Sequence, residues 1–214
     1  MKIDLLLSDD HAVLREGLQI LLEAQGDLRV TASVTNGREA VQKAKELRPH
    51  VALMDIAMPV LNGIEATRQI RAAVPQVQVV ILSIHSTAEH VYNALQAGAR
   101  GYLLKESAGR EVVEAVRVVA HGGRYLSRKL TDVLPVGLVT NQQERSPLES
   151  LSEREREVLQ LTVEGKSAAQ AAELLALSPK TVETYRSRLM QKLGVSDLPA
   201  LVKFAIQHGL TSLE

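Results

Sequence analysis

Polar side chains of three kinds end the short apolar runs in the first half of this chain. Asp9 and Asp10 follow the first run, Asp55 ends "VALMD", Ser83 ends "VVILS", and Lys105 ends "GYLLK". Carboxylates held close together repel one another when ionised, and a hard divalent cation relieves that repulsion. Mg²⁺ suits such a place, because it combines a few carboxylates with phosphate and water oxygens. If these runs end side by side, the sequence predicts a magnesium site.

Phosphoryl transfer is the chemistry that such a group of residues could perform. A carboxylate beside Mg²⁺ can attack a phosphoryl group and form an acyl phosphate. The metal, Lys105 and Ser83 would then stabilise the oxygens that are transferred. Asp55 stands alone at the end of its run, whereas Asp9 and Asp10 form a pair suited to holding the metal. We therefore expect Asp55 to be the nucleophile.

The elements that must position these residues follow from alternating patterns. Apolar runs typical of strands occur at Ile3–Ser8, Leu28–Val34, Val51–Met54, Val77–Ser83 and Gly101–Leu104. Helical patterns lie between and after them, at 13–24, 38–47, 63–73, 88–97 and 109–121. These units predict an α/β doubly wound parallel five-stranded sheet with helices on both faces. Ligands of such sheets bind at the carboxyl ends of the strands, so the polar residues are expected at one edge.

A second, smaller all-α domain is predicted after a linker. Residues 128–148 contain two prolines and a polar run without a sustained period, and they are interpreted as the linker. Ser152 and Glu155 then form the pattern of a capping box at a helix N-terminus. Four helices fit the remaining sequence, at 152–164, 167–175, 179–193 and 197–208. The predicted domains are therefore 1–127 and 149–214.

The third helix of the second domain is locally basic in a chain with 25 basic and 25 acidic residues. Ser178 and Pro179 predict its N-terminus. It has a single acidic residue, Glu183, against four basic ones: Lys180, Arg186, Arg188 and Lys192. A basic helix alone is more often a solvated face. The Ala-rich helix before it, however, can pack closely, as the first helix of a helix-turn-helix requires, and this favours DNA binding.

The motifs together resemble those of a known family. They are "DDH", "MDIAMP", "ILS", "GYLLK", "LSEREREVLQL" and "SPKTVETYRSRLMQKLGV". The chain is similar to two-component response regulators of the NarL/FixJ class, which join a receiver domain of flavodoxin-like fold to a LuxR-type helix-turn-helix. The resemblance covers nearly the whole chain apart from the linker. It implies a phosphorylation-controlled transcriptional regulator that accepts a phosphoryl group on Asp55 from a sensor histidine kinase and thereby changes its dimerisation and promoter binding.

The resemblance also implies roles for residues around Asp55. Asp10 would bind Mg²⁺ directly and Asp9 through water, with Asp55 and the backbone carbonyl of Ala57 as further ligands. Ser83 and Tyr102 match the switch positions of the family. Ser83 would move toward the new phosphate, and the Tyr102 ring would turn into the vacated space. The spacing of the six histidines does not fit a metal site, and all six are interpreted as structural or surface residues. If one is an exception it is His85, which follows Ser83 by two residues and would lie near the phosphate.

In the second domain the resemblance implies contacts to double-stranded DNA and a homodimer. Base-reading positions are matched by Glu183, Thr184 and Ser187, and phosphate-contacting ones by Lys180, Thr181, Tyr185, Arg188 and Lys192. Tyr185 stands where the family commonly has histidine, and the Ala-rich helix lacks the polar residues often found there. The last helix has more apolar positions than a three-helix core needs: Leu198, Leu201, Val202, Ala205 and Ile206. Core packing must use part of this surface, and the resemblance implies dimerisation through the same helix, which suits an inverted repeat.

Composition excludes some classes and leaves two alternatives. Without cysteine there are no disulfides, zinc–thiolate sites or thiol nucleophiles. No leader pattern or long apolar run is present, so a cytoplasmic location without a membrane partner is expected. One alternative, a Mg²⁺-dependent phosphatase or other hydrolase, lacks a general acid because Ala57 stands where it is needed. We therefore expect no enzyme beyond a receiver that catalyses its own phosphorylation and dephosphorylation. The other alternative, a constitutive DNA-binding protein, is opposed by the intact receiver set.

Overall fold

The computed structural model describes residues 2–106, 109–131, 147–208 and 210 of the chain. The chain divides into two compact units, Met1–Gln142 and Gln143–Glu214. Most of the predicted linker, 132–146, lies outside the described residues, so the boundaries 1–127, 128–148 and 149–214 stay predictions. Within the described residues, no helix is both long and apolar enough to cross a membrane.

The first unit alternates strands and helices as predicted. Its strands are β1 (Ile3–Ser8), β2 (Leu28–Val34), β3 (Val51–Asp55), β4 (Gln78–Ser83), β5 (Gly101–Leu104) and β6 (Tyr125–Leu126). Its helices are α1 (Ala12–Glu23), α2 (Gly37–Leu47), α3 (Gly63–Ala73), α4 (Ala88–Gln96), α5 (Gly109–Ala120) and α6 (Arg128–Thr131). The sheet order is β2-β1-β3-β4-β5-β6, with every neighbouring pair parallel. The first five strands have the flavodoxin-like order, which reverses direction between β1 and β3.

The sheet has six strands where the sequence predicted five. Tyr125 and Leu126 pair in parallel with Gly101 and Tyr102, and the amide of Ser127 donates to the Tyr102 carbonyl oxygen at 2.9 Å. Two residues are too few to show either an alternating or a continuous apolar pattern. The short strand therefore had no periodic signal, although it covers the open edge of β5.

The central strands β3, β4 and β5 are buried on both faces, which explains their continuous apolar runs. Alternate side chains of a strand point to opposite faces. Met54 thus packs with helices α2 to α4, whereas Leu53 packs with α1 and α5. All five residues of β3 are buried, including Asp55 at its end. Asp55, the expected phosphoryl acceptor, therefore lies at the end of a fully buried central strand.

The start of α3 lies directly against the end of β3. A Cβ atom added to Gly63 would lie 1.9 Å from the carbonyl oxygen of Asp55, so glycine is the residue that fits there. The Asn62 side chain accepts a hydrogen bond from the amide of Glu65 and caps the helix. This packing fixes the backbone that carries Asp55.

The second unit is all-helical, and its four predicted helices are confirmed to within about two residues, the usual uncertainty of helix ends. They are α7 (Glu153–Val163), α8 (Ala168–Leu175), α9 (Pro179–Leu193) and α10 (Leu198–Gln207), preceded by a 3₁₀ turn at Pro147–Ser150. The capping box of Ser152 and Glu155 is present, and Ser167 with Gln170 forms a second one. Pro179 lies in the first turn of α9, and Gly194 ends it with φ 68°. The capping residues thus set where these helices begin and end.

Candidate functional site

The five predicted residues meet at the carboxyl edge of the sheet. Asp9 and Asp55 are 3% and 2% exposed. Nζ of Lys105 lies 2.7 Å from Oδ2 of Asp55 and 3.0 Å from Oδ2 of Asp9. A carboxylate oxygen of Asp10 lies within 4.8 Å of carboxylate oxygens of Asp9 and Asp55. Ser83, the last residue of β4, pairs with Leu104 of β5. The topology therefore brings together residues that are far apart in sequence.

The carboxylates of this edge fit a divalent cation in type and burial. Asp9, Asp10, Asp55 and His11 offer ligand atoms within 4.8 Å of one another. Within the described part of the chain, Oδ2 of Asp9 and Oδ1 of Asp10 are buried and make no hydrogen bond, although the Lys105 ammonium forms an ion pair with the former. Buried acceptors of this kind are costly unless a cation lies close. The site has oxygen ligands of the kind that Mg²⁺ requires.

The electrostatics of the site are those of a buried carboxylate with one cationic neighbour. Burial raises the pKa of Asp55 to about 6, the hydrogen bond and charge of Lys105 oppose that rise, and the charges of Asp9 and Asp10 add to it. Burial lowers the pKa of Lys105, but its hydrogen bond to Asp55 and its charge interactions with Asp55 and Asp9 leave that pKa raised. Further positive charge would favour the ionised, nucleophilic form of Asp55.

The two predicted switch residues both bond to the backbone of His85. The amide of His85 donates to Oγ of Ser83 at 3.0 Å, and the hydroxyl of Tyr102 donates to the His85 carbonyl oxygen at 2.8 Å. Tyr102 is fully buried, which raises its pKa to about 12. The His85 ring stacks on the His90 ring with centroids 4.3 Å apart, and burial lowers the pKa of His85. A change at Ser83 can therefore reach Tyr102 through the backbone of a single residue, His85.

Ala57 and His11 also lie near Asp55. Ala57 lies half-buried two residues after Asp55, so that position offers a methyl group and no acid. His11 was not among the predicted site residues, yet its Nδ1 lies 2.9 Å from Oδ1 of Asp10. The only sequence signal for His11 was its place directly after two carboxylates.

The predicted DNA-contacting residues of α9 lie on its open side. Val182 and Leu189 are buried in the helical core, whereas the residues around them are exposed or half-buried. Exposed ones are Lys180, Glu183, Thr184, Ser187, Arg188 and Lys192, and half-buried ones are Thr181 and Tyr185. Helices α8 and α9 are joined by a short turn, as in a helix-turn-helix.

Lys192 differs from the other basic residues of α9. Its Nζ lies 2.6 Å from Oε2 of Glu155 on α7 and 3.2 Å from the carbonyl oxygen of Ser150. Glu155 is buried, so this ion pair joins the later turns of α9 to the start of α7. The predicted phosphate contact of Lys192 stays a prediction, and it would compete with this pair.

Comparison with known families agrees with the geometry of both units. The model of the response regulator receiver domain matches residues 5–117, and that of the bacterial regulatory proteins of the luxR family matches residues 149–205. The chain belongs to the response regulators. Members of this family regulate transcription, and they are not enzymes in the ordinary sense. The predicted family, fold class and general function are thereby confirmed.

Individual response regulators resemble the chain over nearly its whole length. The transcriptional regulatory protein DegU of Brevibacillus brevis is 39% identical, over 97% of this chain and 94% of DegU. The crystal structure of the response regulator ChrA of a heme-sensing two-component system covers 98% of each chain, with 32% identity and a TM-score of 0.53. The RcsB–DNA complex covers 95% of this chain and 98% of RcsB at 22% identity and a TM-score of 0.59, a likeness of fold.

Proposed function

We propose that this response regulator accepts its phosphoryl group on Asp55 from a phosphohistidine of a sensor kinase. One observation carries the proposal: Oδ2 of Asp55 lies 2.7 Å from Nζ of Lys105, at the end of a buried strand and beside two further carboxylates. An ammonium so placed can pair with an oxygen of the incoming phosphoryl group. No other carboxylate of the cluster stands alone at the end of a central strand.

The transfer requires little covalent chemistry from the protein. A carboxylate oxygen of Asp55 bonds to phosphorus while the bond from phosphorus to the kinase imidazole breaks, and the imidazole leaves. Lys105 neutralises one phosphoryl oxygen, and the Ser83 hydroxyl donates to another. Mg²⁺, held by Asp9, Asp10, Asp55 and the carbonyl of Ala57, would supply positive charge to the remaining oxygens. Hydrolysis of the acyl phosphate by water in the same site resets the receiver, so this turnover is confined to the chain itself.

The phosphorylated state differs from the resting state through the His85 backbone. When the Ser83 hydroxyl turns to the phosphate, it gives up its bond from the His85 amide. The His85 carbonyl, which accepts from Tyr102, moves with the same residue. The surface formed by α4 and β5 is thereby remodelled, which changes dimerisation and DNA binding.

DNA binding belongs to α9. Glu183, Thr184 and Ser187 read base edges in the major groove, while the basic and polar residues beside them contact phosphates: Lys180, Thr181, Tyr185 and Arg188. Two copies paired through the apolar residues of α10 that the core leaves exposed or half-buried, Leu198, Val202 and Ile206, would bind an inverted repeat. The regulator works in the cytoplasm, where its kinase partner has ATP and its promoters are accessible.

Mass spectrometry and DNA selection test this function together. Incubation with Mg²⁺ and acetyl phosphate is expected to add one phosphoryl group to the intact chain, and Asp55→Asn is expected to abolish it. Label that persists in Asp55→Asn contradicts the assignment. Selection from a random DNA library, with and without beryllofluoride as a mimic of the acyl phosphate, is expected to enrich an inverted repeat more strongly with the mimic. Equal enrichment in both conditions contradicts phosphorylation control.

A further inference from the structure

Two side-chain cations bind the backbone carbonyls at the end of the 3₁₀ turn Pro147–Ser150. Nζ of Lys192, on α9, lies 3.2 Å from the carbonyl oxygen of Ser150. Nη1 of Arg156, on α7, donates to the carbonyl oxygen of the next residue, Leu151. Carbonyls at the C-terminal end of a helical turn need partners from outside the turn, and cationic side chains supply them. The 3₁₀ turn is thus held from two helices.

The 3₁₀ turn is short and has little burial of its own. Three of its four residues are exposed, and a turn of this length makes few internal hydrogen bonds. The Ser150 hydroxyl donates to the Pro147 carbonyl oxygen at 2.7 Å. The amide of Leu151, whose side chain is buried, donates to the Leu148 carbonyl oxygen at 3.2 Å. The two cationic bonds are therefore a large part of what fixes the position of the turn.

Lys192 joins this turn to the helix with the predicted DNA contacts. Its ammonium also lies 2.6 Å from Oε2 of Glu155, which is buried, so the ammonium is held between the start of α7 and the 3₁₀ turn. Lys192 itself lies in the last turn of α9. A displacement of the 3₁₀ turn therefore acts on α9 directly, and not only on α7, the helix that follows the turn in sequence.

We infer that Lys192 is a positioning residue through which the linker acts on α9. The inference rests on the proposed function, in which phosphorylation of the first unit changes DNA binding. The predicted linker, 128–148, ends inside the 3₁₀ turn, so a change in the linker reaches this turn first. DNA affinity depends on how α9 lies in the major groove. The bond from Lys192 to the Ser150 carbonyl thus couples DNA affinity to the state of the linker.

A phosphate contact of Lys192 predicts a different result from a positioning role. Loss of a phosphate contact lowers DNA affinity by the same factor in the resting and the phosphorylated chain, so the ratio of the two affinities does not change. Loss of a positioning contact changes this ratio, because the two states differ in how the linker acts on α9. The ratio of DNA affinities with and without beryllofluoride therefore separates the two roles.

Two variants of the full chain isolate the bond from Lys192 to the turn. Glu155→Gln preserves the capping box of α7, which accepts Gln at this position, and leaves Lys192 able to donate to the Ser150 carbonyl. Glu155→Gln combined with Lys192→Met removes this donor without leaving a buried carboxylate unpaired. The single variant is expected to keep the affinity ratio, and the double variant is expected to lower it toward one. Equal ratios in the two variants overturn the inference.

Hydrogen exchange of the Leu151 amide reports on the turn without DNA or phosphorylation. This amide is expected to exchange about tenfold faster in the double variant than in Glu155→Gln, as loss of a charge-assisted hydrogen bond allows. Arg156→Ala removes the other cationic bond and leaves the pair of Lys192 and Glu155 in place. It is expected to speed the exchange similarly and to lower the affinity ratio.

The two readouts distinguish a failure of this inference from a failure of the proposed function. If beryllofluoride raises the DNA affinity of the unaltered chain, but the Leu151 amide exchanges at the same rate in all variants, only the inference about Lys192 is wrong. If beryllofluoride leaves the DNA affinity of the unaltered chain unchanged, the proposed function is wrong. Faster exchange in the double variant and in Arg156→Ala would then still show that the two cations hold the turn.

Discussion

Nζ of Lys192 lies 2.6 Å from Oε2 of Glu155, across 37 residues of chain. The same oxygen of Glu155 accepts the amide of Ser152 at 2.7 Å in the capping box of α7. One carboxylate thus caps α7 and holds the later turns of α9. The orientation of α9, on which base reading depends, is coupled to this pair.

The first prediction concerns the role of Lys192. Lys192→Ala leaves the buried Glu155 carboxylate without its counter-ion, so the second unit should lose about 1–3 kcal/mol of unfolding free energy. The measurement is urea unfolding of the full chain, followed by methyl NMR signals of Leu189. Arg188→Ala, at an exposed position without this partner, should leave stability nearly unchanged.

The same two variants separate positioning from phosphate contact. Arg188→Ala should lower the salt slope of DNA binding by about one unit. Lys192→Ala should lower it by less, because its ammonium is held on α7. A full unit lost in Lys192→Ala, with unfolding unchanged, would show that Lys192 contacts phosphate after all.

The second prediction is a pH dependence of the second unit. Burial raises the pKa of Glu155, but hydrogen bonds from Lys192 and Ser152 and the charge of Lys192 outweigh it and leave the pKa lowered from 4.5. A carboxyl whose pKa is lower in the folded state adds stability above its unfolded pKa and loses that contribution as pH falls through its folded pKa. The unfolding free energy of the second unit should therefore decrease as the pH is lowered below about 4.5. Glu155→Gln should make the unfolding free energy depend less on pH in this range. An unchanged profile in Glu155→Gln argues against the pair as its cause.

The third prediction concerns sequence reading by α9. Thr184 and Ser187 are exposed and three residues apart, so they share one face of the helix. Replacing either by Ala should change the preferred bases, with a loss of about 1–3 kcal/mol where a good base contact is removed. Selection from a random DNA library with each variant measures this. If Lys180→Ala changes the preferred bases and these two variants do not, α9 lies in the groove with a different rotation.

The fourth prediction tests the link through His85. Tyr102→Phe removes the hydroxyl that donates to the His85 carbonyl and should cost about 1 kcal/mol of unfolding free energy. Phosphorylation of Asp55 should persist, while the gain in DNA affinity on beryllofluoride addition should shrink. Tyr125→Phe is the control, because its hydroxyl bonds to the exposed Glu114. A full response in Tyr102→Phe would remove the hydroxyl from the switch.

The fifth prediction compares two glycines. Gly63→Ala places Cβ against the Asp55 carbonyl and should destabilise the first unit by about 1–3 kcal/mol or more, as overpacking does. Gly17→Ala lies in α1, where the new Cβ meets nothing within 4 Å beyond the adjacent residues and backbone of its own helix, and it should stabilise the unit by about 0.5–1 kcal/mol through helix propensity. Thermal unfolding measures both. Equal effects of the two changes would mean that α3 can move away from β3.

The sequence predicted the parts of the site that depend on local patterns. Asp9, Asp55 and Lys105 each end an apolar run, and parallel topology brings such ends together. Contacts that depend on backbone acceptors or distant partners left no pattern. Every residue has a backbone carbonyl, so the sequence does not show that the one of His85 accepts from Tyr102. The charge of Lys192 likewise does not show that its partner is Glu155. The two-residue strand β6 was missed because periodicity needs more residues.

The close approach of Gly63 to the Asp55 carbonyl bears on how function is mapped in this regulator. In a library of single substitutions scored by reporter expression, Gly63 should be as intolerant as Asp55, although it has no side chain that could touch a phosphoryl group. A count of inactive variants would rank the two positions together. Only a score that reports folding separately, such as protein abundance, would show that Asp55 is needed for the chemistry and Gly63 for the close packing of α3 against β3.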